Sequence, residues 1–315
     1  MRIHVRTITS LVPPTKRHRI LKAVSVFGFC MLSLGTQGSQ LPAKHWGVTV
    51  DTDKTLSKFE LLIGRQATYQ GTFVHLGNGN AFPSELAEPL EDAGETLVIF
   101  WEAMDYNREP AKQPEFSDDA INSGQWDQEI RDLAAAMHDY TAPVIFVPFS
   151  EMNGDWTPTG QGLYANTPDK YKMAYRKVWN IFHEPSIYND KVKFAWVVNN
   201  EPADVIADYF PGRDVVDYVG LDGFNWGDPW QSYTEAFTPS LKELHKLGRP
   251  ILITSFASAA GPEKAAWMHD AFLRIQTNPH IVGWIWFNFK KEQDWRVESD
   301  AGALKMFRQA VQHTH

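Results

Sequence analysis

The chain has 315 residues, 43% of them apolar and 22% charged, with a formal net charge of −8. That balance is ordinary for a globular protein of one large or two small domains and excludes a disordered or fibrous chain. The acidic surplus argues against nucleic acid or an anionic membrane as partner. A single cysteine, Cys30, leaves no disulfide framework.

The first 38 residues differ from the rest. They hold Arg2, Arg6, Lys16, Arg17, Arg19 and Lys22 and no acid. Ile20 to Leu34 is almost wholly apolar, and Gly35 to Gln40 is small and polar. A basic region, an apolar run and a small-residue exit make a secretory signal, and the run is short for a membrane span. Residues 1–38 are therefore expected to be a signal peptide, or a membrane anchor if uncleaved. Residues 39–315 are expected to form one working domain, secreted or periplasmic and monomeric.

Strands and helices then alternate. Strands are expected at Trp46–Asp51, Gly71–Leu76, Thr96–Glu102, Pro143–Ser150, Val192–Val198, Val215–Leu221, Pro250–Ile253 and Ile281–Phe287. Between and after them the helical segments are Leu56–Arg65, Ser84–Ala93, Gln125–Tyr140, one opened by Thr167-Pro168, Ala203–Tyr209, Tyr233–Leu247, Glu263–Gln276 and Ala301–Gln312. The strands are short, apolar and not alternating, as in a parallel sheet covered on both faces. Eight such units make an α/β chain with the signature of a (β/α)8 TIM barrel. A doubly wound sheet would more usually show a glycine-rich loop after the first strand, and Val50 to Lys54 has no glycine.

In a barrel the chemistry collects where strands end. Here those ends are Trp101-Glu102, Ser150-Glu151-Met-Asn153 with Trp156, Asn199, Asp222-Gly-Phe224-Asn225-Trp226, and Trp286-Phe-Asn288 with Trp295 beyond. Carboxylates and carboxamides can bond sugar hydroxyls, and indoles can stack on sugar faces. No HExxH, clustered His–carboxylate set or GxSxG elbow is present, so no metal or cofactor is expected. The set suits a neutral polysaccharide or oligosaccharide. Trp101 and Trp286 are expected to line the funnel, and Trp156, Trp226 and Trp295 to be sugar platforms or wall packing. Glu102 either pairs structurally or supplies a second carboxylate, Asp222 shapes a turn, and His75 is ordinary. Glycoside hydrolysis needs two carboxyl groups flanking the bond, and Glu151 is the natural acid.

Phe149-Ser-Glu151-Met-Asn-Gly-Asp-Trp156 resembles the HEMNGxW motif of glycoside hydrolase family 26, which includes β-mannanases, mixed-linkage glucanases and β-1,3-xylanases. Tyr218-Val-Gly-Leu-Asp-Gly-Phe-Asn225 resembles that family's YVGxDGYN, and Pro250 to Ser258 its PIxITEFGS. Trp286-Phe-Asn288 with Asp294-Trp-Arg296 resembles its WFN…DWR ending. The likeness runs from about residue 45 to 312. It implies a (β/α)8 barrel acting on a β-linked polysaccharide by the retaining route, with Glu151 as acid/base. The nucleophile belongs where this chain has Ser255. The family's His before the acid/base is Ser150, and its strand-six Tyr is Phe224. The expectation is a family-26-type β-glycanase whose double displacement is severely impaired, or a carbohydrate-binding pseudoenzyme. A third reading is inverting hydrolysis with Glu102 or Asp222 as base.

Overall fold

The computed structural model describes residues 43–51 and 56–314. The expected signal or anchor segment lies outside them. Eight strands run in chain order around a closed, all-parallel barrel: β1 (His45–Val50), β2 (Tyr69–His75), β3 (Thr96–Glu102), β4 (Val144–Pro148), β5 (Val192–Asn199), β6 (Tyr218–Asn225), β7 (Ile251–Ser258) and β8 (Ile281–Asn288). The helices are α1 (Leu56–Ile63), α2 (Ser84–Ala93), α3 (Asp118–Ser123), α4 (Asp127–His138), α5 (Pro168–Phe182), α6 (Ile206–Tyr209), α7 (Tyr233–Lys246), α8 (Lys264–Thr277) and α9 (Ala301–Val311).

Successive strand residues point to opposite faces. One set, including Tyr69, Val98, Phe100, Ile145, Val147, Ala195, Val197, Leu252 and Ile285, fills the barrel interior. The other, including Leu97, Ile99, Trp101, Phe146, Trp196, Phe256, Trp284 and Trp286, packs against the helices. Both sets are apolar, which explains the unbroken hydrophobic runs. Gly220 faces inward on β6. A Cβ there would lie 2.6 Å from Val197 Cγ2 and 3.1 Å from Thr254, so only glycine lets the wall close. Gly220→Ala is expected to lower stability by about 1–3 kcal/mol, read from the denaturation midpoint; an unmoved midpoint would show that the interior can relax.

The expected barrel is present, with four local departures. Helix α3 was not expected inside the connection after β3. Ser117 caps it, accepting from the Ala120 N–H at 3.4 Å. Helix α6 is shorter than expected, only Ile206–Tyr209. Strands β6 and β7 run on past Leu221 and Ile253 to Asn225 and Ser258. Their pairing continues as Asp222↔Ser255, Gly223↔Phe256, Phe224↔Ala257 and Asn225↔Ser258, after a register shift at Leu221/Asp222. Polar side chains ended the hydrophobic pattern there, yet the backbone ladder does not depend on side-chain polarity. Asp222 is consequently a strand residue and not a turn former.

Candidate active site

The interior row of each strand fixes which side chains reach the mouth. Val98 and Phe100 are interior, so Glu102 is too. Ala195 and Val197 bring Asn199, Gly220 brings Asp222 and Phe224, and Ile285 brings Phe287. On β4 the backbone departs from this rhythm. Phe149 and Glu151 take left-handed conformations, with φ of +54° and +58°, and such strain in non-glycine residues gathers at functional sites. Phe149 is thereby turned outward onto Trp101 and Tyr171, while Ser150 and Glu151 turn to the mouth. The Glu151 N–H still bonds Val197 O at 3.0 Å, which anchors the strained residue to β5.

Glu151 is half-buried. Trp156 Nε1 donates to its Oε2 at 2.6 Å, and Asn199 Nδ2 to its Oε1 at 3.0 Å. Burial raises its carboxyl above the ordinary value. The Asn199 and Trp156 hydrogen bonds and the charge of Lys291 oppose that rise. A carboxyl shifted upward by burial suits a general acid. Gly154 lets the indole fold back: a Cβ there would stand 2.2 Å from the Trp156 ring.

Two further carboxyls share this field. Glu102 accepts from Ser150 Oγ at 2.5 Å, and its Oε2 is buried without a partner. Burial pushes its carboxyl up to about 8, and the Glu151 charge adds to the rise. Asp222 accepts from Thr254 Oγ1 at 2.5 Å and from the Ser255 backbone N–H. Burial holds it well above the carboxylate range, with the charges of Glu151 and Glu102 contributing. Ser255 is itself buried beside Asp222, on the neighbouring strand.

The Ser255 side of the mouth is aromatic. Phe224 packs 5.5 Å from Phe287 and 5.1 Å from Trp295. Phe73, 39% exposed, stacks on Phe100 at 5.0 Å with His75 beyond it, and Tyr106 lies 5.1 Å from His75. Trp226 is 47% and Trp156 42% exposed, so both present ring surface at the mouth.

Of the residues expected in the site, Glu102, Ser150, Glu151, Trp156, Asn199, Asp222, Phe224, Trp226 and Ser255 are brought together. Six are not free to touch a ligand. Trp101 and Trp286 are wholly buried on the outward face. Trp101 bonds Asn80 Oδ1 at 2.7 Å, and Trp286 packs on Phe256 and Phe307. Trp295, 1% exposed, is wall packing under Phe224 and Trp226. Asn153 is buried and staples the end of β5 by bonding Asn199 O, Asn199 N and Pro202 O. It therefore positions Asn199, and through it Glu151, rather than substrate. Asn225 holds the Gly227 and Gln231 N–H groups and bonds Ser258. Asn288 bonds Glu298 and the Val297 N–H. Phe73, His75, Phe287 and Thr254 were not anticipated. The alternation Tyr69, Gly71, Phe73, His75 on β2 carries a signal for two of them, because it continues an interior row to the strand end.

The sequence profile of Glycosyl hydrolase family 26 matches residues 112–314. Endoglucanase H of Acetivibrio thermocellus is 30% identical over 292 residues, 89% of this chain and 31% of that protein. A mannan endo-1,4-beta-mannosidase of Bacillus subtilis strain 168 is 24% identical over 189 residues, 57% of this chain and 47% of that one. The chain thus spans about a third to a half of these relatives. Among solved structures, the catalytic domain of an endo-beta-1,4-mannanase from Bacillus sp. JAMB-750 superposes with a TM-score of 0.69 at 16% identity, covering 88% of this chain and 87% of that one. A beta-mannanase from Bacteroides ovatus gives 0.66 at 16%, covering 86% and 88%. These two show the shared fold. The profile covers most of the barrel, from before β4 to the end of α9, and the strand-end motifs lie within it: this chain belongs to glycoside hydrolase family 26.

Proposed function

We propose that this chain binds a neutral β-linked polysaccharide of the mannan or β-glucan class across the barrel mouth. Glu151 serves there as the acid that protonates the glycosidic oxygen. The observation that carries the reading is the Glu151 carboxyl, half-buried and held between Trp156 and Asn199 at the head of β4. The named relatives, an endoglucanase and mannan mannosidases, support the substrate class. Double displacement through residue 255 is lost, because a serine hydroxyl is uncharged at neutral pH and is a weak nucleophile without an activating base. Residues 1–38 direct the protein out of the cytoplasm, and fractionation of cells expressing the full chain tests that.

A second reading, glycan capture without cleavage, is favoured by one observation. The side of the mouth where a nucleophile would act is walled by Phe224 and Phe287. Such rings are a stacking surface but supply no group that can attack the anomeric carbon.

Affinity electrophoresis against mannan, mixed-linkage glucan and β-1,3-xylan tests both. Retardation by at least one glycan is expected, weakened about 10-fold or more by Trp156→Ala, since stacked aromatics dominate such contacts. Equal mobility in all three gels would refute both readings.

A further inference from the structure

We propose that Lys264 is a positioning residue for glycan binding: its ammonium holds the loop after β8 in the shape that seats Trp295 beneath Trp226, and so aims the Trp226 ring at the substrate. The inference rests on the reading of the mouth as a glycan site and adds to it a residue that the ligand never touches.

Lys264 opens α8 and is wholly buried. Burying an ammonium is costly unless its donors are used. Here Nζ donates to Asp294 O at 3.1 Å, to Arg296 O at 2.8 Å and to Ser299 Oγ at 3.4 Å. An ammonium has three donors, and all three go to one loop. Burial lowers the group to about 8, while the charges of Asp294, Asp300 and Glu298 favour its ionised form and that of Arg296 opposes it.

The two carbonyls that Lys264 holds bracket Trp295. The carbonyl between them is held too, by Trp286 Nε1 at 3.2 Å, and the Trp295 N–H donates to Phe289 O at 2.9 Å. Three successive carbonyls are thus tied to α8 and β8. Arg296 adds a two-pronged pair with Asp294, at 2.8 and 2.6 Å. Residues 289–296 belong to no helix or named strand, so side-chain donors largely set their path.

Trp295 in turn supports the rim. Its ring lies 5.1 Å from Trp226, edge-on at 83°, and 5.1 Å from Phe224. Trp295 is buried while Trp226 is half-exposed, so the first is the footing and the second the face turned outward. An apolar side chain at 264 would leave two buried carbonyls without a donor. They would turn toward water, carry Trp295 with them and leave Trp226 unsupported.

The test uses the full chain in affinity gels with mannan, mixed-linkage glucan and β-1,3-xylan. It compares Lys264→Met, Trp226→Ala and the double variant on the glycan that retards the natural chain most. Each single variant should weaken binding by about 10-fold. The double variant should bind no more weakly than Trp226→Ala alone, because both changes remove the same contact. Thermal melting establishes that each variant is folded at the gel temperature. A folded Lys264→Met variant that binds like the natural chain overturns the proposal. So does a double variant whose loss is the product of the two single losses, which is what a merely structural lysine would give. Where Lys264→Met fails to fold, Trp286→Phe takes its place. It removes the donor to the middle carbonyl, and the same coupling to Trp226→Ala is expected; independent losses overturn the proposal. A natural chain retarded by no glycan refutes the reading beneath it as well.

Discussion

Ser255→Glu is expected to raise the rate of β-glycan hydrolysis by about 10³-fold or more, the scale on which removal of a covalent nucleophile is felt. Several parts of the proposed site are in place without it. Glu151 is held by Trp156 and Asn199, Asn153 fixes Asn199, and β7 keeps its pairing through Ser255. The restored carboxylate would nevertheless meet Phe224 where the resembled motif has a tyrosine hydroxyl. Ser255→Glu with Phe224→Tyr should therefore exceed the single variant by about 10-fold, the worth of one hydrogen bond to a charged group. Azide offers an independent check. A small anion entering beside Ser255 should accelerate cleavage of a 2,4-dinitrophenyl β-glycoside by the natural chain and yield the α-glycosyl azide. Hydrolysis no faster in the double variant than in the natural chain would mean that the site has changed beyond its nucleophile.

The second large effect concerns stability. Folding is expected to weaken by a few kcal/mol, to order of magnitude, as pH rises from 5 to 8. Glu102 is pushed up to about 8 by burial, and burial also holds Asp222 well above the carboxylate range. Asp118, buried with both oxygens unpartnered, is likewise pushed up to about 8 by burial. In the unfolded chain such groups lose their protons near pH 4. The folded state therefore holds protons that the unfolded state has released. The stability this confers is complete below about pH 4 and disappears as pH climbs through 8. His75 and His183, lowered mainly by burial, act in the opposite sense, but against three raised carboxyls they are the lesser influence. Glu102→Gln should flatten the profile and stabilise the fold at pH 8, where it removes the cost of ionising a buried carboxyl. Urea midpoints at unit pH steps measure this; a midpoint rising steadily from pH 5 to 8 would contradict it.

Much of the molecule was legible in its residues. The eight apolar runs, the helical spacings between them and the Thr167 cap, which the structure shows bonding the Lys170 N–H, located nearly every element. The motifs around Glu151, Asp222 and Ser255 pointed to the barrel mouth, where the structure gathers these side chains. The ends of β6 and β7 were less legible, because Asp222, Thr254 and Ser255 interrupt the hydrophobic pattern without interrupting the backbone ladder.

Residue order thus carried the alternation of strand and helix, the barrel it implies, and a serine at position 255 where the resembled motif has a glutamate. Which member of each neighbouring pair faces the barrel mouth emerged only with folding. Trp101 and Glu102 are adjacent, as are Trp286 and Phe287, and one of each pair faces the helices. A strand buried on both faces is apolar on both, so its pattern carries no phase. The phase is set by barrel closure, by the left-handed residues at 149 and 151, and by the register shift that brings Asp222 beside Ser255.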